Sequence, residues 1–203
     1  MKASLILFWS GGMDSTAILL ELISDPVKYP SVRVVSCGLK NTFNYEEDKL
    51  ARENIAKILN LTELKNVEYV TEEVQCGGPG GSQATVWAWL SAMYVDILDE
   101  NNVELVYGYI RHDDFWHKRT QFESAVESLV KIHSAVKPTF CYPLEWKTKR
   151  EVVSTYLHYP EVFRALSWGG DTRITKAKER EDLEFIFDQL QLAKKSTTEN
   201  TKK

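Results

Sequence analysis

Cysteine is scarce in this chain, with three in 203 residues, at positions 37, 76 and 141. The number is odd, the spacings are long and no C-x-x-C pair occurs, which argues against a disulfide scaffold and gives no zinc or dithiol signature. Free thiols in a reducing compartment are expected. Long apolar runs are lacking too. The opening "MKASLILFWSGG" has one lysine and an apolar run too short for a secretory core, and no stretch approaches the roughly 20 apolar residues of a membrane span. A cytoplasmic protein with no membrane partner is expected. A basic excess is missing as well: the formal net charge is −4, which argues against affinity built on broad neutralisation of nucleic-acid phosphates and favours a small-molecule partner. There is no internal repeat and no interdomain linker.

What is present is a globular balance, 43% hydrophobic and 27% charged residues, with six Trp and nine Tyr, enough for a sizeable core in one domain. Residues 1–192 are read as that domain and 193–203 as a polar, disordered tail. The apolar run 5–9 reads as a strand buried on both faces. A helix follows with Ile18, Leu19, Leu22 and Ile23 at helical spacing. "VRVVSCGL" is a second strand, and 45–59 an amphipathic helix carrying Leu50, Ile55, Ile58 and Leu59 on one side. "VEYVTEEV" is a third strand. "CGGPGGSQ" is a loop, and the helix after it groups Trp89, Met93, Tyr94 and Ile97 before a fourth strand, "VELVYGYI". Strand and helix alternate, so the expected fold is α/β: a single Rossmann-like domain with a parallel sheet and helices on both faces. Beyond it come a helix over 121–133, an extended piece broken by Pro138 and Pro143, two short helices, and a helix with Leu183, Ile186, Phe187 and Leu190 at helical spacing.

The junction "SGGMDST", at the carboxyl end of the first strand, carries the chemistry. Ligands of parallel sheets bind outside those ends, where N–H groups of the next helix point outward. Gly11 and Gly12 leave room for an anion, and Ser10, Ser15 and Thr16 offer hydroxyls, so the stretch has the makings of a phosphate cradle. No lysine follows at the Walker A position. Asp14 beside phosphates implies a cation between them, Mg²⁺ bound mostly by the phosphates. On spacing alone the alternative is a plain strand-to-helix turn whose Asp14 or Ser15 caps the helix.

"SGGMDST" after an apolar strand resembles the SGGxDS signature of the PP-loop ATP pyrophosphatases, whose fold is that of the adenine nucleotide alpha hydrolases. These proteins cleave ATP between the α- and β-phosphates, adenylating a carbonyl or carboxylate before a nitrogen or sulfur nucleophile displaces AMP. Within them the chain is similar to the 7-cyano-7-deazaguanine synthases of queuosine biosynthesis over about 2–168, through "FWSGGMDSTAILL", "YEEDKLARENIAKIL", "ATVWAWLSAMYVDIL" with "VELVYGYI", and "PLEWKTKREVV". The resemblance implies ATP and Mg²⁺ as cofactors, ammonia and a deazapurine-like acid as small-molecule substrates, and a possible homodimer. It assigns nucleotide binding to Phe8, Ser10, Gly11, Gly12, Asp14, Ser15 and Thr16. Asp14, Ser15 and Lys149 would be catalytic, Lys149 offsetting charge on leaving pyrophosphate. Gly108 and Asp113 or Asp114 would bind substrate. Read alone, the segment "RHDDFWHKR" is either a solvated charged loop or a pocket wall, and its His112 and His117 lack metal-ligand spacing.

Two departures bear on the substrate. The four zinc cysteines of that family have no counterpart, Trp168 standing where the first would be, so no zinc is expected and packing by Trp168 and "DLEFIFDQL" must hold that end. The loop "CGGPGGSQ" lacks the family's arginine, a bidentate anion ligand. Alternatives therefore stand beside the ligase: a PP-loop amidase, a sulfur transferase using Cys76 or Cys141, or a nucleotide-binding homologue without chemistry.

Overall fold

Successive residues of strand β1 (Ser4–Trp9) enter different hydrophobic clusters, and that alternation organises the domain. A computed structural model describes residues 4–40, 45–75, 83–98, 102–111, 115–168 and 174–200. Leu7 and Trp9 are buried on one side with helix α1 (Met13–Ser24), whereas Ile6 and Phe8 are buried on the other with helices α3 (Gln83–Leu98) and α4 (Arg119–His133). Both faces of the strand are covered, which is why its sequence is an unbroken apolar run.

Strands β2 (Val32–Leu39), β3 (Val67–Val74), β4 (Val103–Val106) and β5 (Thr139–Cys141) complete one five-stranded sheet in the order β3-β2-β1-β4-β5. All its pairs are parallel, Leu5 lying opposite Val32 on one side and Glu104 on the other. Helix α2 (Tyr45–Ile58) connects β2 to β3 and puts Ile55 into the α1 cluster. The domain is α/β with a single all-parallel sheet flanked by helices, consistent with a Rossmann-like fold. The sheet grows outward one way from β1 through β2 and β3, then the other way through β4 and β5. The carboxyl ends of β1 and β4 therefore border a topological switch point, where a crevice opens in such folds.

Three further helices, α5 (Lys149–Thr155), α6 (Pro160–Arg164) and α7 (Ile174–Asn200), join the α1 side. Phe163 stacks on Phe187 with centroids 4.1 Å apart, and Trp168 meets Phe163 edge-on at 5.7 Å. Leu183 is buried beside them. Packing by Trp168 and α7 thus holds this end. Among the described residues no helix is long and apolar enough to cross a membrane.

Three expectations need correction. On α2, Leu50 and Ile58 are exposed, and Ala51, Arg52 and Ile55 are the buried residues. The helix is turned so that an arginine enters the interior, because two glycines make room for it. On α3, Trp89, Met93 and Ile97 are exposed, whereas Tyr94, expected beside them, is buried and packs inward with Val86, Trp87, Leu90 and Val95. A helix this apolar all round gives spacing nothing to choose a face by. Finally, α7 continues through Asn200, with the Ser196 hydroxyl donating to the Leu192 carbonyl at 2.9 Å, so most of the stretch read as a disordered tail is helical. Residues 201–203 lie outside those described.

Replacing Phe187 by Ala removes the ring stacked on Phe163 and is expected to cost about 3–5 kcal/mol in urea unfolding. A loss under about 1 kcal/mol would show that α7 contributes little to the core.

Candidate active site

The turn after β1 is shaped by its own hydroxyls. Gly11 has a φ of +82°, the left-handed region that favours glycine. Ser10 N–H donates to the Ser15 hydroxyl at 3.2 Å, and Gly12 N–H to the Ser10 hydroxyl at 3.3 Å. The two hydroxyls lie 3.0 Å apart. Gly12 is the N-cap of α1 and makes no side-chain cap bond, so neither Asp14 nor Ser15 caps the helix. No cap side chain covers the first-turn N–H groups, which carry the positive end of the helix dipole. Thr16 departs from its expected place: it is fully buried, its hydroxyl accepts the Trp9 indole N–H at 2.8 Å, and it lines neither cavity described below.

Neighbouring segments press on this turn from several directions. A Cβ on Gly108, just beyond β4, would fall 2.6 Å from the Ser15 backbone nitrogen. Two backbones therefore meet where a side chain cannot fit. Ser167 N–H donates to the Gly11 carbonyl at 3.1 Å, and the buried Tyr156 hydroxyl donates to the Met13 carbonyl. From α2, Arg52 reaches the Ser10 carbonyl at 3.5 Å.

Lys149 and Asp14, far apart in sequence, come together here: Lys149 Nζ lies 2.9 Å from Asp14 Oδ2. Lys149 is the first residue of α5, whose start is set by a capping box. Thr148 Oγ1 accepts from Glu151 N–H at 3.3 Å, and Thr148 N–H donates to Glu151 Oε2 at 2.7 Å. The Thr148 N–H and the Thr148 hydroxyl, which donates to Glu151 Oε2 at 2.8 Å, hold the Glu151 carboxyl below its ordinary range. Glu151 therefore positions the helix that carries Lys149. Glu179 of α7 adds a second carboxylate 3.9 Å from the same ammonium.

Two cavities flank the pair. One, of about 450 Å³, opens at the ends of β1 and β2 and is lined by Ser10, Gly12, Asp14, Cys37, Leu39, Tyr45, Asp48, Arg52 and Lys149 among others. The other, of about 440 Å³, sits at the ends of β1 and β4 and has aromatic walls from Phe8, Trp87, Tyr107, Tyr109 and Phe115 beside Ser15 and Gly108. Ser10, Gly12, Asp14, Gln83, Lys149 and Glu179 border both. Phe8 stacks on Tyr107 at 5.2 Å and faces the aromatic cavity. Asp113, Asp114, His112 and Cys76 lie outside the described residues, as do 77–82 of the glycine-rich loop.

Arg52, Gln83, Tyr45, Ser167 and Glu179 join the site although no role was expected of any of them from the sequence. Tyr45 is also part of a clamp at the start of α2. Its hydroxyl donates to Glu73 Oε1 at 2.5 Å, and Lys40 and Lys49 lie 2.8 and 3.2 Å from the same carboxylate. The hydrogen bonds from Lys40, Tyr45 and Lys49 hold the Glu73 carboxyl down at about 2. The Cys141 thiol, at the end of β5, is pushed up to about 12 by burial and by the Glu104 carboxylate, so it stays protonated where a nucleophile would need to ionise.

Gly108→Ala should lose about 1–3 kcal/mol of stability, read by urea unfolding, because the backbone of Ser15 cannot give way as a side chain would. An unchanged midpoint contradicts the close approach of β4 to the turn. Compared with known proteins, the chain is matched by no family model and by no curated protein.

Proposed function

We propose that this protein is an ATP-dependent ligase of the PP-loop type, related to the 7-cyano-7-deazaguanine synthases and sharing the adenine nucleotide alpha hydrolase fold. The observation that carries the reading is the junction of Asp14 with Lys149 at 2.9 Å, on a two-glycine turn at the carboxyl end of β1. A lysine supplied from a distant helix does the work that a Walker lysine would do within the loop.

In this reading the polyphosphate lies over the Gly11–Gly12 turn and the first-turn N–H groups of α1, with Ser10 adding its hydroxyl. An acceptor carboxylate in the aromatic cavity attacks the α-phosphorus. The bond from that phosphorus to the bridging oxygen breaks, and pyrophosphate leaves with its charge offset by Lys149. Ammonia then displaces AMP from the acyl adenylate, giving an amide and losing a proton. Going on to a nitrile requires water to leave, hence a second activation of the amide oxygen by ATP. Asp14 and Glu179 are the carboxylates at this place that fit Mg²⁺, and the ion would supply neutralisation of the phosphates. Phe8, Trp87, Tyr107 and Phe115 suit a flat heteroaromatic acid, in keeping with a deazapurine acceptor. The Cys141 thiol, pushed up by burial and lining neither cavity, is disfavoured as the thiol of the sulfur-transfer alternative.

Incubated with ATP, Mg²⁺, ammonium and 7-carboxy-7-deazaguanine, the protein should form AMP and pyrophosphate; formation of ADP would sink the reading. Lys149→Met is expected to lower kcat about 10²–10³-fold with the KM for ATP changed only a few-fold. Equal losses in both would make Lys149 a ground-state binder instead.

A further inference from the structure

Arg52 is 5% exposed, yet among the described residues its guanidinium forms no ion pair and one hydrogen bond, to the Ser10 carbonyl at 3.5 Å. Guanidinium groups stay charged in proteins, so burial cannot be relieved by losing a proton. A buried charge needs a partner.

The surroundings are built to admit this side chain. A Cβ on Gly11 would fall 2.7 Å from Arg52 Cγ, and one on Gly38 would fall 2.9 Å from Arg52 Nη2. Two glycines thus leave a passage from α2 to the cavity at the ends of β1 and β2, which Arg52 lines beside Ser10 and Gly12. The other cations of that cavity are paired: Lys149 with Asp14, and Arg180 with Glu184 at 2.9 Å. The Asp48 carboxylate, which also lines it, accepts the Ser167 hydroxyl. Among the described residues Arg52 is the cation of that cavity left without an ion pair, and it stands against the turn itself.

We infer that Arg52 is a phosphate ligand, its counterion arriving as the polyphosphate of a nucleotide held on the Gly11–Gly12 turn. The inference rests on the nucleotide reading above. The planar fork of Arg52, entering from α2, can take two oxygens of an anion. A carboxylate has matching geometry, so the probes must separate the two sources.

Titration calorimetry of the full chain with ATP, pyrophosphate and adenosine, each with Mg²⁺, provides the test. Arg52→Gln should weaken ATP and pyrophosphate by at least about tenfold and leave adenosine within about twofold. Arg52→Lys keeps the charge and the stem against Gly11, and should show a smaller loss of the same pattern. Without nucleotide, Arg52→Met should melt no lower than the wild type, since it removes an unpaired buried charge. Three results overturn the inference: unchanged ATP and pyrophosphate affinities in Arg52→Gln, as for a residue that binds the acceptor carboxylate; equal losses for ATP and adenosine; or a much lower melting temperature for Arg52→Met. Wild-type protein that binds neither ATP nor pyrophosphate brings down the nucleotide reading and this inference with it, whereas intact wild-type binding with an unmoved Arg52→Gln brings down this inference alone.

Discussion

The site depends on a steric constraint: at two points, Gly11 and the approach of Gly108, the turn after β1 has no space for a further side chain. Gly108 meets the backbone of Ser15, and the Arg52 stem occupies the space a side chain on Gly11 would need. Such crowding fixes where the first turn of α1 points, because a packed interior transmits displacement rather than absorbing it. The switch point between β1 and β4 then gives that direction a use, since it opens the crevice on which the turn faces. Ser167 and Tyr156 complete the enclosure by tying the carbonyls of Gly11 and Met13.

Electrostatics follow from the same enclosure. The capping box at Thr148 and Glu151 starts α5 where its first residue, Lys149, meets Asp14. This pair, with Glu179 nearby, stands between the two cavities and borders both. Two chambers that share one loop are suited to bringing two substrates together. In the proposed reaction the chamber at the ends of β1 and β2 takes the nucleotide and the aromatic-walled chamber the acceptor, so the reacting atoms meet at the loop they share.

Much of this was legible in the sequence because it depends on local pattern. The apolar run of β1, the glycines and the hydroxyls of "SGGMDST" announce a strand, a turn and a helix, and the alternation of elements announces the parallel sheet. Asp14 and Lys149 were recognisable through motifs, although nothing in their spacing required them to touch. Arg52 was invisible. It stands among the charged residues of an amphipathic helix and reads as solvated, and only the three-dimensional approach of Gly11 and Gly38 shows why it turns inward. Leu50 and Ile58 are exposed for the same reason, since the face that Arg52 takes is lost to them. Tyr94 parts from Trp89, Met93 and Ile97 because α3 is apolar on all sides and tertiary packing chooses the face. The residues 193–200 were misread because composition reports the absence of a core, whereas a helix already docked through Leu183 and Phe187 can extend past it.

The central claim is that the turn after β1 holds the phosphates of ATP. A crystal structure with the non-hydrolysable α,β-methylene analogue of ATP and Mg²⁺ tests it most directly. The account predicts the triphosphate over Gly11 and Gly12, the base in the cavity at the ends of β1 and β2, and the α-phosphorus facing the aromatic cavity. Triphosphate bound away from that turn, at full occupancy of the analogue, would contradict it.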